Sequence, residues 1–173
     1  MPSRRTFVKV GLAGATLFAL ARLGSAPAAA ATPAYRLLDD KAAGIVKALA
    51  PIVLARALPD EAASLDRALN AIALSFDRAA SSLSPPVQRE VTDLFSFLDF
   101  PPTRIAFARL WSPVGESTPE ELRAFLTRWR ESRFELQLAS YQALTQLIHA
   151  SWYDMPESWP AVSYPGPPPL GLR

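Results

Sequence analysis

Few side chains in this sequence are placed to do chemistry. His149 is the only histidine, and there is no cysteine. A lone imidazole can act as a general base, but it needs a nucleophile beside it and a group to orient it. The serines offer no Gly-x-Ser-x-Gly elbow. No other histidine, cysteine or carboxylate stands at metal-ligand spacing from His149. It follows the inward-facing Ile148 by one residue, which predicts a half-exposed place on a helix. Asp39-Asp40 and Glu120-Glu121 are paired carboxylates, the residue type that general acid–base catalysis uses. Each pair, however, stands where a helix begins and needs capping. Without cysteine, thiolate zinc sites, iron–sulfur clusters and haem attached through C-x-x-C-H are excluded, and so are disulfides. Glycine is too scarce, at 7 in the whole chain, to write a phosphate-cradling loop. These residues argue against an enzyme, and no catalytic, cofactor-binding or metal-ligating residue is assigned.

The strongest motif is an address rather than a site. Ser3, Arg4, Arg5, Phe7 and Lys9 stand directly before an apolar run from Val10 to Ala21, and a small-residue stretch from Gly24 to Ala31 follows. This is the order of a bacterial export signal. The arginine pair resembles the twin-arginine (Tat) motif Ser-Arg-Arg-x-Phe-Leu-Lys, with Val8 in place of the leucine. Ala29 and Ala31 fit the A-x-A cleavage pattern. The apolar run is shorter than the roughly 20 residues that span a bilayer, and Arg22 closes it. The reading divides the chain into a signal over 1–31, a helical domain over 32–155 and an aromatic, proline-rich tail over 156–173, with a periplasmic destination.

Charge follows from that division. The formal net charge is +2. Arg4, Arg5, Lys9 and Arg22 leave with the signal and no acid leaves with them, so the mature chain is weakly acidic. It has no basic stripe and no nucleic-acid motif.

The elements that must position any site are helical. Thr32 to Leu38 is expected to be a flexible leader. Asp39 or Asp40 caps a first helix carrying Ile45, Val46, Leu49, Ile52 and Val53, which Pro51 should kink or split. Leu65, Leu69, Ile72 and Phe76 share one face of a second helix, with Asp66, Arg67, Asp77 and Arg78 off that face. Ser84-Pro85-Pro86 opens a third, with Val87, Val91, Leu94, Phe95 and Leu98 inward, and Pro101-Pro102 stops it. Thr103 to Trp111 reads as a short fourth helix, and Ser112 to Ser117 as a turn. Thr118-Pro119-Glu120-Glu121 is a capping box for a helix burying Leu122, Phe125, Leu126 and Trp129. Ser132 or Arg133 separates it from a last helix with Phe134, Leu138, Tyr141, Leu144, Ile148 and Trp152 inward. No stretch alternates as a strand does. The expected fold is all-α, a small irregular bundle of five to six helices with an extended proline-rich tail.

That tail changes the character of the chain. Trp152, Tyr153, Trp159, Tyr164, Pro165, Gly166, Pro167 and Pro168 are aromatic and proline residues of the kind that anchor interfaces, in a segment expected to lie near polyproline II. They read either as a strap over the domain's own core or as a partner-docking segment.

The twin-arginine signal, the small helical body and the Trp-Tyr…Trp…Tyr-Pro-Gly-Pro-Pro ending together resemble the gluconate 2-dehydrogenase subunit 3 family. Members of that family are small exported subunits accompanying flavin-dependent sugar or alcohol dehydrogenases of the glucose–methanol–choline type. The resemblance is sharpest over Trp152 to Pro168 and covers the body only in size and pattern. Some relatives carry cysteines and this chain has none. The resemblance implies a large flavin dehydrogenase subunit as partner, with the FAD on that partner and none on this chain. It implies the Tat translocase as a transient partner and, in some complexes, a multihaem cytochrome c as a third member. This chain would escort, export and stabilise the partner. A rival reading is a stand-alone periplasmic helical protein that binds a small apolar ligand, and an enzyme built on His149 is a distant third.

Overall fold

A computed structural model describes residues 35–162 together with Tyr164 and Pro165. The signal residues Ser3, Arg4, Arg5, Phe7 and Lys9, the cleavage residues Ala29 and Ala31, and Gly166, Pro167 and Pro168 of the tail lie outside the described residues. The described chain is all-helical: α1 Asp40–Leu54, α2 Ala62–Ser81, α3 Pro85–Asp99, α4 Pro119–Arg130 and α5 Glu135–Tyr153, joined by short helical turns. Helix α1 is the central element and packs against all four others, while α2 and α5 lie along one another. Among the described residues no single helix is long and apolar enough to cross a membrane.

The centrality of α1 follows from its composition. Ala42, Ala43, Ile45, Val46, Leu49, Ala50 and Leu54 are all buried, and the alanines let neighbouring helices approach closely. Asp39 caps it, its carboxylate accepting from the Ala42 amide at 2.7 Å. Pro51 does not split the helix; α1 runs uninterrupted to Leu54. A proline forfeits one bond to the preceding turn, a cost of about 3 kcal/mol in a helix interior. Here Leu49, Ala50 and Leu54 are seated in the core on both sides of it. The helix ends at Ala55, whose φ of 46° turns the chain and whose amide donates to the Pro51 carbonyl.

Phe76 and Ile72 of α2 are fully buried, and Phe76 stands edge-on to Phe95 of α3 with ring centroids 5.7 Å apart. Leu65 and Leu69 are only partly buried. Ser84 occupies the cap position of α3 but makes no side-chain capping bond, and Pro85 fills the first helical position. The capping box of α4 forms as its spacing predicts. The Glu121 amide donates to Thr118 Oγ1 at 3.3 Å, and the Thr118 amide donates to the Glu121 carboxylate at 2.8 Å. Leu122, Phe125, Leu126 and Trp129 point inward from it.

The structure corrects several expectations. The leader is not free from Tyr35 onward. The carboxylate of Asp77 accepts the amides of Arg36, Leu37 and Leu38 at 2.7, 2.8 and 2.9 Å. Asp77 is therefore 2% exposed rather than off the buried face. The short fourth helix is one α-turn, Pro101–Thr103, widening into a π-turn, Arg104–Ala108. It stops at Arg109, which is left-handed at φ 54°, so Trp111 lies beyond it. Phe134 is 73% exposed; it is the residue before α5, with extended backbone, and never joins the helix face that Leu144 and Ile148 share. Finally, Pro156–Val162 is a 3-10 helix, not an extended strap.

Candidate docking surface at the end of helix five

Helix α5 carries Trp152 and Tyr153, just before the tail begins. His149 and Tyr153 are four residues apart, one above the other on a helix surface, and their rings stack with centroids 6.4 Å apart and planes 6° apart. The ring nitrogen Nδ1 of His149 lies 2.7 Å from the Thr145 carbonyl. A nitrogen facing a carbonyl must carry the hydrogen and donate it, so the imidazole is oriented as part of the helix surface. Trp152 points the other way. It is 2% exposed, which removes it from the docking residues expected of the tail and makes it core.

After Tyr153 the chain turns twice. The Met155 amide donates to the Trp152 carbonyl at 3.1 Å. Ser158 then returns both its amide and its hydroxyl to the Met155 carbonyl, at 3.0 and 2.7 Å. Its side chain is fully buried. This lock sets the 3-10 segment against the end of α5. Trp159 donates from its indole Nε1 to the Tyr153 carbonyl at 3.4 Å. The Tyr164 amide donates to the Trp159 carbonyl at 3.0 Å, and the two rings meet edge-to-face with centroids 5.5 Å apart. Tyr153, Trp159 and Tyr164 are thus brought together around Trp159, with Pro165 following. Tyr153 and Tyr164 are exposed and Trp159 half-buried. His149 was missed as a member of this group, although its i, i+4 spacing to Tyr153 was available in the sequence.

The helical turn at Pro156–Val162 has a simple cause. Proline holds φ near −65°, which suits a 3-10 helix as well as polyproline II. Pro156 stands in the first turn, where a missing N–H removes no bond, and Ser158 supplies the closing contacts.

An open cleft of about 240 Å³ adjoins His149. It is lined by Ile52 and Val53 of α1, by Arg123, Leu126 and Arg130 of α4, and by Tyr141 and His149 of α5. Arg123 pairs with Glu120 at 3.2 Å and Arg130 with Glu131 at 2.9 Å.

The paired carboxylates have structural work. Asp39 and Glu121 are capping groups, and Glu120 holds Arg123. Among the described residues no group of three or more histidine, aspartate or glutamate side chains could hold a metal ion. Comparison with known proteins finds no matching family model, no matching curated protein and no matching solved structure.

Proposed function

We propose that this chain is a non-catalytic small subunit of the gluconate 2-dehydrogenase subunit 3 type. It is exported by the Tat route and docks a large flavin-dependent sugar or alcohol dehydrogenase, which it escorts to the periplasm and stabilises. The flavin belongs to the partner; a multihaem cytochrome c is a further member in some complexes of this type. The signal-like start Ser3-Arg4-Arg5-Thr6-Phe7 supports the export half of the reading. The observation that carries the docking half is the edge-to-face pair of Trp159 and Tyr164 at 5.5 Å, set on a locked turn beside the exposed Tyr153. Aromatic side chains held rigidly at a surface are the commonest energetic anchors of protein interfaces.

The test is co-purification. Tagged full-length chain expressed in its own host should bring down a yellow large subunit. Trp159→Ala combined with Tyr164→Ala should abolish that recovery while the circular-dichroism melt of the isolated chain stays within a few degrees. Undiminished recovery of the flavoprotein by the double variant would reject this surface as the dock. Absence of any flavoprotein from the wild-type preparation would reject the subunit reading itself.

A further inference from the structure

Helices α2 and α5 lie along one another but do not close fully. A crevice of about 340 Å³ opens between them, lined by Ser75, Arg78 and Ala79 of α2 and by Ala150, Ser151 and Asp154 at the end of α5. All but Arg78 and Asp154 are alanine or serine. The distance between packed helices follows the size of the side chains at the contact, so small residues ordinarily let the gap close. Here they leave a space that reaches the size of small-molecule sites, which begin at about 300 Å³.

The two walls differ in chemistry. Ser75, Arg78 and Ala79 are spaced by three and four residues and share one face of α2. Ser75 is 4% exposed. A serine inside a helix can return its hydroxyl to the carbonyl one turn back, as Ser151 does to Leu147 at 2.6 Å. Ser75 does not: among the described residues its hydroxyl has no partner, and it opens on the crevice. With the guanidinium of Arg78 one turn on, α2 presents donors. The other wall presents an acceptor. Asp154 is the C-cap of α5, where the last carbonyls already carry partial negative charge. No basic residue stands in the last turn of α5 to balance it, and Glu157 follows in the next turn. Asp77, beside Arg78 in the chain, is spent on the amides of Arg36, Leu37 and Leu38. Among the described residues neither Arg78 nor Asp154 forms an ion pair. One crevice thus holds a cation and a hydroxyl on one wall and an anion on the other, all without partners.

We propose that this crevice binds a small zwitterion of the α-amino acid class, its carboxylate received by Arg78 and the Ser75 hydroxyl and its ammonium by Asp154. Hydrogen bonds between ionised partners are the strong ones, and a molecule with a single charge leaves the opposite wall unmatched. The inference does not rest on the docking reading, since none of the six lining residues belongs to the aromatic group around Trp159.

The test is calorimetric titration of L-alanine and L-serine into the purified full-length chain, with propionate and ethylamine as analogues that keep one charge each. The amino acids should bind, and each analogue should bind about tenfold more weakly or less, the loss expected when a charged hydrogen bond is removed. Arg78→Gln and Asp154→Asn should each weaken the amino acids by a similar factor, and Ser75→Ala by less. Ala150→Leu should fill the crevice and abolish binding while the melt of the ligand-free chain stays unchanged, because position 150 is exposed. Absence of binding by both amino acids would overturn the proposal. So would an affinity indifferent to Arg78→Gln and Asp154→Asn, or propionate binding as tightly as L-alanine. Energetic coupling between positions 78 and 154 in unfolding of the ligand-free chain, with no amino acid bound, would also overturn it and leave the crevice as the seat of an ion pair. Flavoprotein recovery is a separate readout, so binding here stands or falls apart from the docking of a large subunit.

Discussion

The carboxylate of Asp77 on α2 accepts the amide of Leu38, 39 positions earlier in the chain, at 2.9 Å. The same group takes the two preceding amides, so a single buried side chain fixes the entry to α1. Hydrogen bonds to a charged acceptor are worth about 1.5–3 kcal/mol each, and stranding buried donors is costly. Asp77→Ala is expected to destabilise the domain by at least about 3 kcal/mol in urea unfolding. Asp77→Asn should lose nearly as much, because its amide presents a donor to donors. Near-wild-type stability of the asparagine variant would show that the charge and its geometry do not hold the leader.

Core substitutions should separate two positions that the helix pattern treats alike. Phe76 is fully buried, whereas Leu69 is only partly so. Phe76→Ala should cost about 3–5 kcal/mol, the range for deleting a buried aromatic ring, and Leu69→Ala less than about 2 kcal/mol. Equal losses in denaturant midpoints would mean that the packing around α2 differs from that described.

High pH should weaken the fold. The Tyr35 phenol is raised above its ordinary value of 10.0, first by burial and then by the charges of Asp40 and Asp77. Lys41 is raised by its bond to Asp99 at 2.8 Å. A group with a raised folded value contributes stability that is fully present below the unfolded value and lost as pH climbs through the folded one. Denaturant midpoints should therefore hold up to about pH 10 and decline as pH rises above it. Tyr35→Phe should flatten that decline, and an unchanged slope would exclude Tyr35 as its source.

Export can be tested apart from docking. Replacing Arg4 and Arg5 with lysine keeps the charge but removes the pair that the Tat receptor reads. The variant is expected to remain in the cytoplasm, and under the proposed function the flavoprotein remains with it. Mature double-lysine protein in the periplasmic fraction would reject the Tat reading.

What could be read from the sequence was what is decided locally. The Thr118 capping box and the Asp39 cap depend on groups within three residues, and the inward faces of α1, α2 and α4 depend on helical period alone. Asp77 could not be read because its partners lie about forty residues away, and its place beside Arg78, off the apolar stripe, suggested solvent. Phe134 was misplaced because periodicity does not reveal that the chain stays extended for one residue more before α5 begins. The tail misled for a different reason: proline fixes φ but not ψ, so the same residues permit an extended strand or a tight helix. Ser158, a residue with no obvious signal, decides between them. Of the residues proposed for docking, Tyr153, Trp159 and Tyr164 come together as a group, Trp152 does not, and His149 joins from one turn back.

Ser158 bears on how any partner would be met. With its hydroxyl and amide both returned to the Met155 carbonyl, the turn beneath Trp159 is ordered when the domain folds, not when a complex forms. Ordering a mobile side chain on association costs about 0.5–1.5 kcal/mol, and coupled folding of a loose segment leaves a large excess heat-capacity change. The turn over Pro156–Val162 should engage as a preorganised plug. Its calorimetric signature would be a heat-capacity change matching the area it covers, with no added contribution from that turn folding on arrival.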